Sequence, residues 1–235
     1  MAMREIPGIP YRFKDESLLQ QALTHRSVGK VNYERLEFLG DSILSAVVST
    51  RLYQLKSDNN EGDLSRLRAR IVRGATLSKL AAALKLSDYV RLGEGEMKSG
   101  GYKRDSILAD TFEAIIGAIY LDGGFAACQQ AVLQMCATEI ANLPDAEELK
   151  DPKTRLQEWL QSHGYPLPEY TVLSEEGPPH KKHFKVQTRE VLAGFDVTGA
   201  GSSRRKAEQA AAKAALDYIS ESKITYIKAK QAVKQ

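Results

Sequence analysis

The stretch Asn32-Tyr33-Glu34-Arg35-Leu36-Glu37-Phe38-Leu39-Gly40-Asp41-Ser42 carries more information than any other in the chain. Read as a helix at about 100° per residue, it places Glu34, Glu37 and Asp41 within one arc of roughly 60°, with Leu39 and Ile43 on the other side. Three carboxylates on one helical face repel one another unless a cation or a basic partner sits among them. Spacing alone fits two readings equally: an acidic face turned to solvent, or a cation site. Phe38 falls beside the acids and away from the leucines. A bulky aromatic there is most simply explained by a partner surface.

A second segment bears on the choice. Residues Ile107 to Leu121 (Ile-Leu-Ala-Asp-Thr-Phe-Glu-Ala-Ile-Ile-Gly-Ala-Ile-Tyr-Leu) are apolar almost all round, the pattern of a buried helix. Asp110 and Glu113 would then be carboxylates in a dry setting, costly unless paired with positive charge. Two acidic pairs on two packed helices suggest a site for a hard metal ion. Oxygen-only ligation favours Mg²⁺ or Mn²⁺, and no Cys/His cluster at zinc spacing competes. Ion pairing with Arg35, Arg70 or Arg73 stays open as the alternative.

Working outward, Leu18, Leu19 and Leu23, then Leu36 to Val47, then Leu64, Leu67 and Ile71 recur at three- and four-residue spacing, so the first 143 residues read as all-α. Helix starts are expected at Asp15-Glu16 and Gly62-Asp63, and a stop at Gly123-Gly124. The glycine-rich segment from Leu92 to Arg104 reads as a loop; Lys98, Lys103 and Arg104 in it could meet phosphates. Residues 144–152 are polar and acidic and form the expected linker. After it, 153–221 reads as helix, three strands and helix, with strands around Tyr170–Ser174, His183–Thr188 and Val191–Thr198 and an alanine-rich helix from Ser203 to Ile219. The tail 222–235 is lysine-rich, with no clear role.

The chain has 235 residues, 43% hydrophobic and 27% charged, an ordinary globular mix that excludes disordered and fibrous classes. No apolar run approaches the roughly 18 residues of a membrane span and no signal peptide opens the chain, so a soluble, cytoplasmic protein without membrane attachment is expected. Cys128 and Cys136, eight residues apart on one helix, are too distant for a disulfide and read as buried thiols. The net charge of +3 divides into −1 over residues 1–150 and +4 over 151–235. The excess is C-terminal, by itself a weak sign of a polyanionic partner. Gly93 to Ser99 lacks the second glycine and the preceding strand of a P-loop, so no nucleotide cofactor is expected.

The stretch at 32–42 resembles the signature of the ribonuclease III family. Glu61-Gly62-Asp63-Leu64-Ser65, Lys98-Ser99-Gly100-Gly101 and Leu108-Ala109-Asp110-Thr111-Phe112-Glu113-Ala114 support the likeness in the right order. The similarity is to bacterial members, with an all-α endonuclease domain followed by a small α+β (α-β-β-β-α) double-stranded-RNA-binding domain. It implies that Glu37, Asp41, Asp110 and Glu113 bind catalytic Mg²⁺, with Mn²⁺ able to substitute, and that Asp41 and Glu113 are the catalytic acids. Glu34 and Glu61 match two further acids of the catalytic valley. Phe38 matches an aromatic that enters a socket on the other subunit of a homodimer. The implied activity is hydrolysis of double-stranded RNA to 5′-phosphate and 3′-hydroxyl ends, in processing of ribosomal precursors and of other structured RNAs, messenger and transfer RNAs among them. The competing reading is a non-catalytic duplex-RNA-binding regulatory dimer.

Hydrolysis of a phosphodiester builds negative charge on the phosphoryl and leaving oxygens, which a divalent metal offsets. No histidine is needed as base and none is expected beside the acids; His25 is the only one in the N-terminal half. In the C-terminal module the resemblance assigns RNA contacts to Gln157 and Glu158 of the first helix, to His180 in the Gly177-Pro178-Pro179-His180 loop, and to Ser203, Arg204, Arg205 and Lys206 at the start of the last helix. Cations at a helix N-terminus oppose its dipole, which argues for bound anions, although a charged first turn alone gives the same pattern. Glu208 stands where such modules often carry another lysine. Trp159, Leu156 and Leu160 read as core.

Overall fold

Asp15 begins the first helix. Its carboxylate accepts from the Ser17 amide at 2.9 Å and so caps α1 (Glu16–Ala22). In this computed structural model, which describes residues 5–221, five more helices of the N-terminal unit follow: α2 (Glu34–Leu55), α3 (Glu61–Val72), α4 (Gly74–Ala83), the short α5 (Glu94–Lys98) and α6 (Asp105–Met135), then a last turn, α7 (Ala137–Ala141). Asn60 caps α3, its side chain accepting from the Asp63 amide at 3.0 Å, so that helix starts two residues earlier than the Gly-Asp pair suggests. The chain divides into two units between Ala146 and Glu147.

The N-terminal unit is built around α6. Ile107 to Ile119 bury nearly every side chain, and α2, α4 and α1 pack around them. By length and composition this helix could span a bilayer, yet half of its most apolar window is buried here: it is the core of a helical domain and carries three carboxylates, Asp105, Asp110 and Glu113, in its first turns. Gly124 adopts φ +78°, a non-helical break inside α6, so the expected stop at Gly123-Gly124 is a kink from which a second helical segment continues. The segment Leu92–Arg104 also holds more structure than a loop, namely α5 and a 3₁₀ turn at Gly101–Lys103. Cys128 and Cys136 are buried free thiols, and burial pushes them up to about 11 and about 12.

On α2 the buried stripe is Leu36, Gly40, Leu44, Val47, Val48 and Leu52, while Leu39 and Ile43 are only half-buried. The core side of this helix is therefore turned from where Leu39 and Ile43 put it, toward the acids. Glu37 lies at the border of the stripe, which brings it against α6.

The C-terminal unit contains α8 (Pro152–Ser162), an antiparallel sheet of order β1-β2-β3 (Glu169–Glu176, His183–Glu190, Phe195–Gly201) and α9 (Arg204–Glu221). Asp151 caps α8 through the amides of Lys153 and Thr154. Leu156, Leu160, Phe195, Ala212 and Ala215 form the core, with Trp159 packed against it. The alanines of α9 let it lie directly on β3. A Cβ at Gly199 would sit 2.0 Å from the Ala211 amide nitrogen, so only glycine allows this approach. The third strand starts later than expected: Val191 to Gly194 form a turn, with Gly194 at φ +76° and Val191 81% exposed. The lysine-rich tail 222–235 lies outside the described residues.

Candidate metal centre and RNA-binding surface

The acidic centre depends on how closely α2 and α6 cross. A Cβ on Gly40 would lie 1.8 Å from the Glu113 carbonyl oxygen, and one on Gly117 would lie 2.2 Å from that of Leu36. Each glycine admits the other helix's backbone. Gly40 sits beside Asp41 and one turn from Glu37, and Gly117 one turn from Glu113, so the contact falls where the carboxylates are.

Glu37, Asp110 and Glu113, all half-buried, each offer an oxygen, and these oxygens lie within 4.8 Å of one another. Among the described residues none of the three makes an ion pair, so Arg35, Arg70 and Arg73 do not supply the compensation left open by the sequence. The electrostatic cost is visible. Burial, then the charges of Asp41, Glu37 and Asp110, push Glu113 up to about 8. Burial, then Asp110, Glu34 and Asp41, raise Glu37 against the opposing charge of Arg26. Burial also raises Asp110, opposed by a hydrogen bond from Tyr33 and by His25 and Arg26. A cluster of oxygens that repel one another at hydrogen-bonding distances from a common centre fits a hard divalent cation.

Asp41 is exposed at the rim and outside that group of three, though its charge acts on Glu37 and Glu113. Glu34 is also exposed and pairs with Arg26 at 3.5 Å. Glu61 is not gathered with the others: it accepts from the Ser65 hydroxyl at 2.8 Å and lines a different groove, between α2 and α3. Phe38 is 79% exposed. The cavity over the acids, about 290 Å³, has a second wall of His25, Arg26 and Arg104. Arg104 is held by Glu96 at 2.7 Å and by the Ser99 hydroxyl; Lys98 and Lys103 do not line the cavity. The expectation that no histidine stands beside the acids is thus corrected. His25, Arg26 and Glu96 have no periodic or spacing signal that would have pointed to them, because a loop and a short helix deliver them to the site.

In the C-terminal unit Gln157 and Glu158 are exposed on α8, but the Glu158 carboxylate is taken by Lys150 at 2.6 Å. His180 is exposed in the turn between β1 and β2. Ser203 caps α9 by accepting from the Lys206 amide, with Arg204, Arg205 and Lys206 exposed around it. Glu208, the acid in place of a lysine, accepts from Lys153 of α8 at 2.7 Å and from Arg204 at 2.9 Å. Those bonds hold its carboxyl below the usual range and tie the two helices together at their cationic ends.

A helical domain that concentrates carboxylates for a divalent cation, joined to a module that presents cations on an α-β-β-β-α frame, defines a metal-dependent nuclease of structured RNA. Residues 15–140 match the ribonuclease-III-like family model and residues 152–219 match the double-stranded RNA binding motif. The chain belongs to the ribonuclease III family, the endoribonucleases that cut double-stranded RNA. Ribonuclease 3 of Aliivibrio fischeri is 52% identical over 213 residues, 90% of this chain and 95% of that protein. Ribonuclease 3 of Methylococcus capsulatus is 50% identical over 214 residues, covering 91% and 92%. The nuclease domain of ribonuclease III from Campylobacter jejuni superposes with a TM-score of 0.55 at 42% identity, over 57% of this chain and 94% of that one; it is described as structurally flexible in a region involved in dimer formation.

Proposed function

We propose that this endoribonuclease works as a Mg²⁺-dependent homodimer in which Glu37, Asp41, Asp110 and Glu113 hold the metal and Asp41 and Glu113 are the catalytic acids. The observation that carries the reading is the convergence of oxygens of Glu37, Asp110 and Glu113 within 4.8 Å, with no ion pair to any of the three among the described residues. What a divalent ion supplies in such a site is activation of water and stabilisation of charge on the leaving 3′-oxygen. The chain's own part is to hold the acids at fixed spacing on two helices. Arg26 and Arg104 on the opposite wall offer positive charge to the RNA backbone. Gln157, Glu158, His180, Ser203, Arg204, Arg205 and Lys206 engage the duplex by its shape, 2′-hydroxyls and phosphates. Cuts leave 5′-phosphate and 3′-hydroxyl ends on ribosomal precursors and other structured RNAs in the cytoplasm. Residues 1–143 serve as the nuclease domain, 144–152 as linker and 153–221 as the RNA-binding domain. Labelled duplex RNA should be cut with Mg²⁺ and only bound in EDTA. Uncut duplex at saturating Mg²⁺ would return the protein to the class of duplex-binding regulators.

Phe38 gives the dimer its contact. The groove of about 660 Å³ between α2 and α3, lined by Leu52, Tyr53 and Leu64, is apolar enough to receive an aromatic ring from a second copy. Glu61 lines the same groove, and Phe38 follows Glu37 directly, so this pairing would bring Glu61 of one copy to the acidic rim of the other. Phe38→Ala is expected to shift the protein from dimer to monomer in sedimentation runs, with cleavage lost in parallel. A dimer as tight as the parent's would refute the contact.

A further inference from the structure

Tyr33, the residue before α2, is almost fully buried, and its hydroxyl makes one hydrogen bond among the described residues: it donates to Asp110 Oδ2 at 3.3 Å. The rest of the residue is fixed from several sides. Its amide donates to the Thr24 carbonyl at 2.9 Å, and its own carbonyl accepts from the amides of Leu36 and Glu37 at 2.8 and 2.9 Å. Its ring is met edge-on by the His25 imidazole, with centroids 5.5 Å apart.

His25 is held in turn. The Ser27 amide lies 3.1 Å from its Nδ1 and the Ser27 hydroxyl 2.7 Å from the same atom. That hydroxyl also accepts from the Gly93 amide at 2.8 Å. A Cβ on Gly93 would lie 2.4 Å from the Ser27 carbonyl oxygen, so the two loops are packed without slack.

We propose that Tyr33 is a positioning residue for the metal centre: its hydroxyl takes one oxygen of Asp110 and fixes the rotation of that carboxylate, which would leave the residue ready to hold a cation together with Glu37 and Glu113. The inference rests on the metal reading of those three acids. A free Asp carboxylate rotates about its terminal bond, and a ligand that rotates must be ordered each time a cation binds. Groups that hydrogen-bond a ligand from behind remove that cost, and their loss typically weakens metal binding by about 10- to 100-fold. Here the supporting group is itself anchored in the turn that starts α2, so Asp110 on α6 and Glu37 on α2 are set relative to each other.

The test is Mn²⁺ binding to the full-length protein without RNA, followed by calorimetry, for Tyr33→Phe and Asp110→Asn beside the parent. Tyr33→Phe removes one oxygen and keeps the ring against His25. It should bind Mn²⁺ about tenfold more weakly and raise the Mg²⁺ concentration for half-maximal cleavage by a like factor, with kcat at saturating Mg²⁺ preserved. Parent-like Mn²⁺ affinity in Tyr33→Phe with weakened binding in Asp110→Asn would overturn the role of Tyr33 and leave the metal reading standing. Parent-like affinity in both would remove the metal reading and the proposal with it. A fall in kcat that Mg²⁺ does not restore would assign the effect to general loosening and also overturn the proposal.

Discussion

Gly40→Ala should all but abolish cleavage while leaving duplex binding by residues 153–221 in place. The added methyl would lie 1.8 Å from the Glu113 carbonyl oxygen and 2.6 Å from its carbonyl carbon, and both are backbone atoms in the middle of a helix that cannot rotate away. The only relief is for α2 and α6 to move apart by more than an ångström. Overpacking of this kind costs on the order of 1–3 kcal/mol of stability. The catalytic cost is larger, because the two helices carry the two halves of the acidic centre: Glu37 and Asp41 on one, Asp110 and Glu113 on the other. A displacement of about 1 Å in such an arrangement costs on the order of 10²-fold in rate. Measuring kcat/KM on a short duplex alongside the melting temperature separates the two effects. Gly40→Ala with parent-like turnover would mean that the close crossing does not set the site.

The crossing also shows what sequence could and could not convey. Helical periodicity located α2 and α6, and an apolar helix interrupted by Asp110 and Glu113 already pointed to compensated carboxylates. That Gly40 and Gly117 lie opposite each other is a fact of tertiary packing, with no trace in the spacing of either segment. The same limit explains the buried stripe of α2. Leu39 and Ile43 look like core by residue type, yet the glycine contact rotates Gly40 into the interior, and the two branched residues end at its edge.

In the sheet, residue type misled in the opposite direction. Val191 has high strand preference and Leu192 is apolar, but both occupy an exposed turn, because Gly194 takes a positive φ there and the strand begins only at Phe195. Gly199 and Gly201 belong to β3 despite their weak strand preference, since α9 lies too close for any side chain. In the site, Glu37, Asp110 and Glu113 were legible from helical spacing and from the cost of burying carboxylates, whereas Asp41 and Glu34 stay exposed outside that group and Glu61 lies in another groove. The wall formed by His25, Arg26 and Arg104 was not legible, apart from Arg104 being named among the loop cations. Charge in a loop has no period, and tertiary contacts bring the segment after α1 to the cavity: the backbone pairing of Leu23 and His25 with Arg91 and the packing of Ser27 against Gly93.

Glu113→Gln should remove cleavage by at least about 10³-fold, roughly 4 kcal/mol of barrier, and make the metal-free protein more stable. Both follow from the same crowding. With no cation present, Glu113 is a half-buried carboxylate beside three others, held up to about 8 by burial first and then by Asp41, Glu37 and Asp110. Its folded value lies above the ordinary carboxylate value of the unfolded chain. Between those two values the folded state binds more protons, so stability falls as pH rises through that window. Glutamine stays neutral throughout. In EDTA the variant's advantage in melting temperature should therefore be absent near pH 4, grow as pH rises, and level off above about pH 8. Adding Mg²⁺ should reverse the order, because a ligand that binds only the folded state stabilises the parent and does so less for a variant lacking one ligand. A structural carboxylate would behave otherwise: its loss would lower the melting temperature in EDTA, and Mg²⁺ would move parent and variant alike. Melting curves across pH with and without Mg²⁺, read beside the cleavage rate, thus decide whether Glu113 is in place to hold metal or to hold the fold.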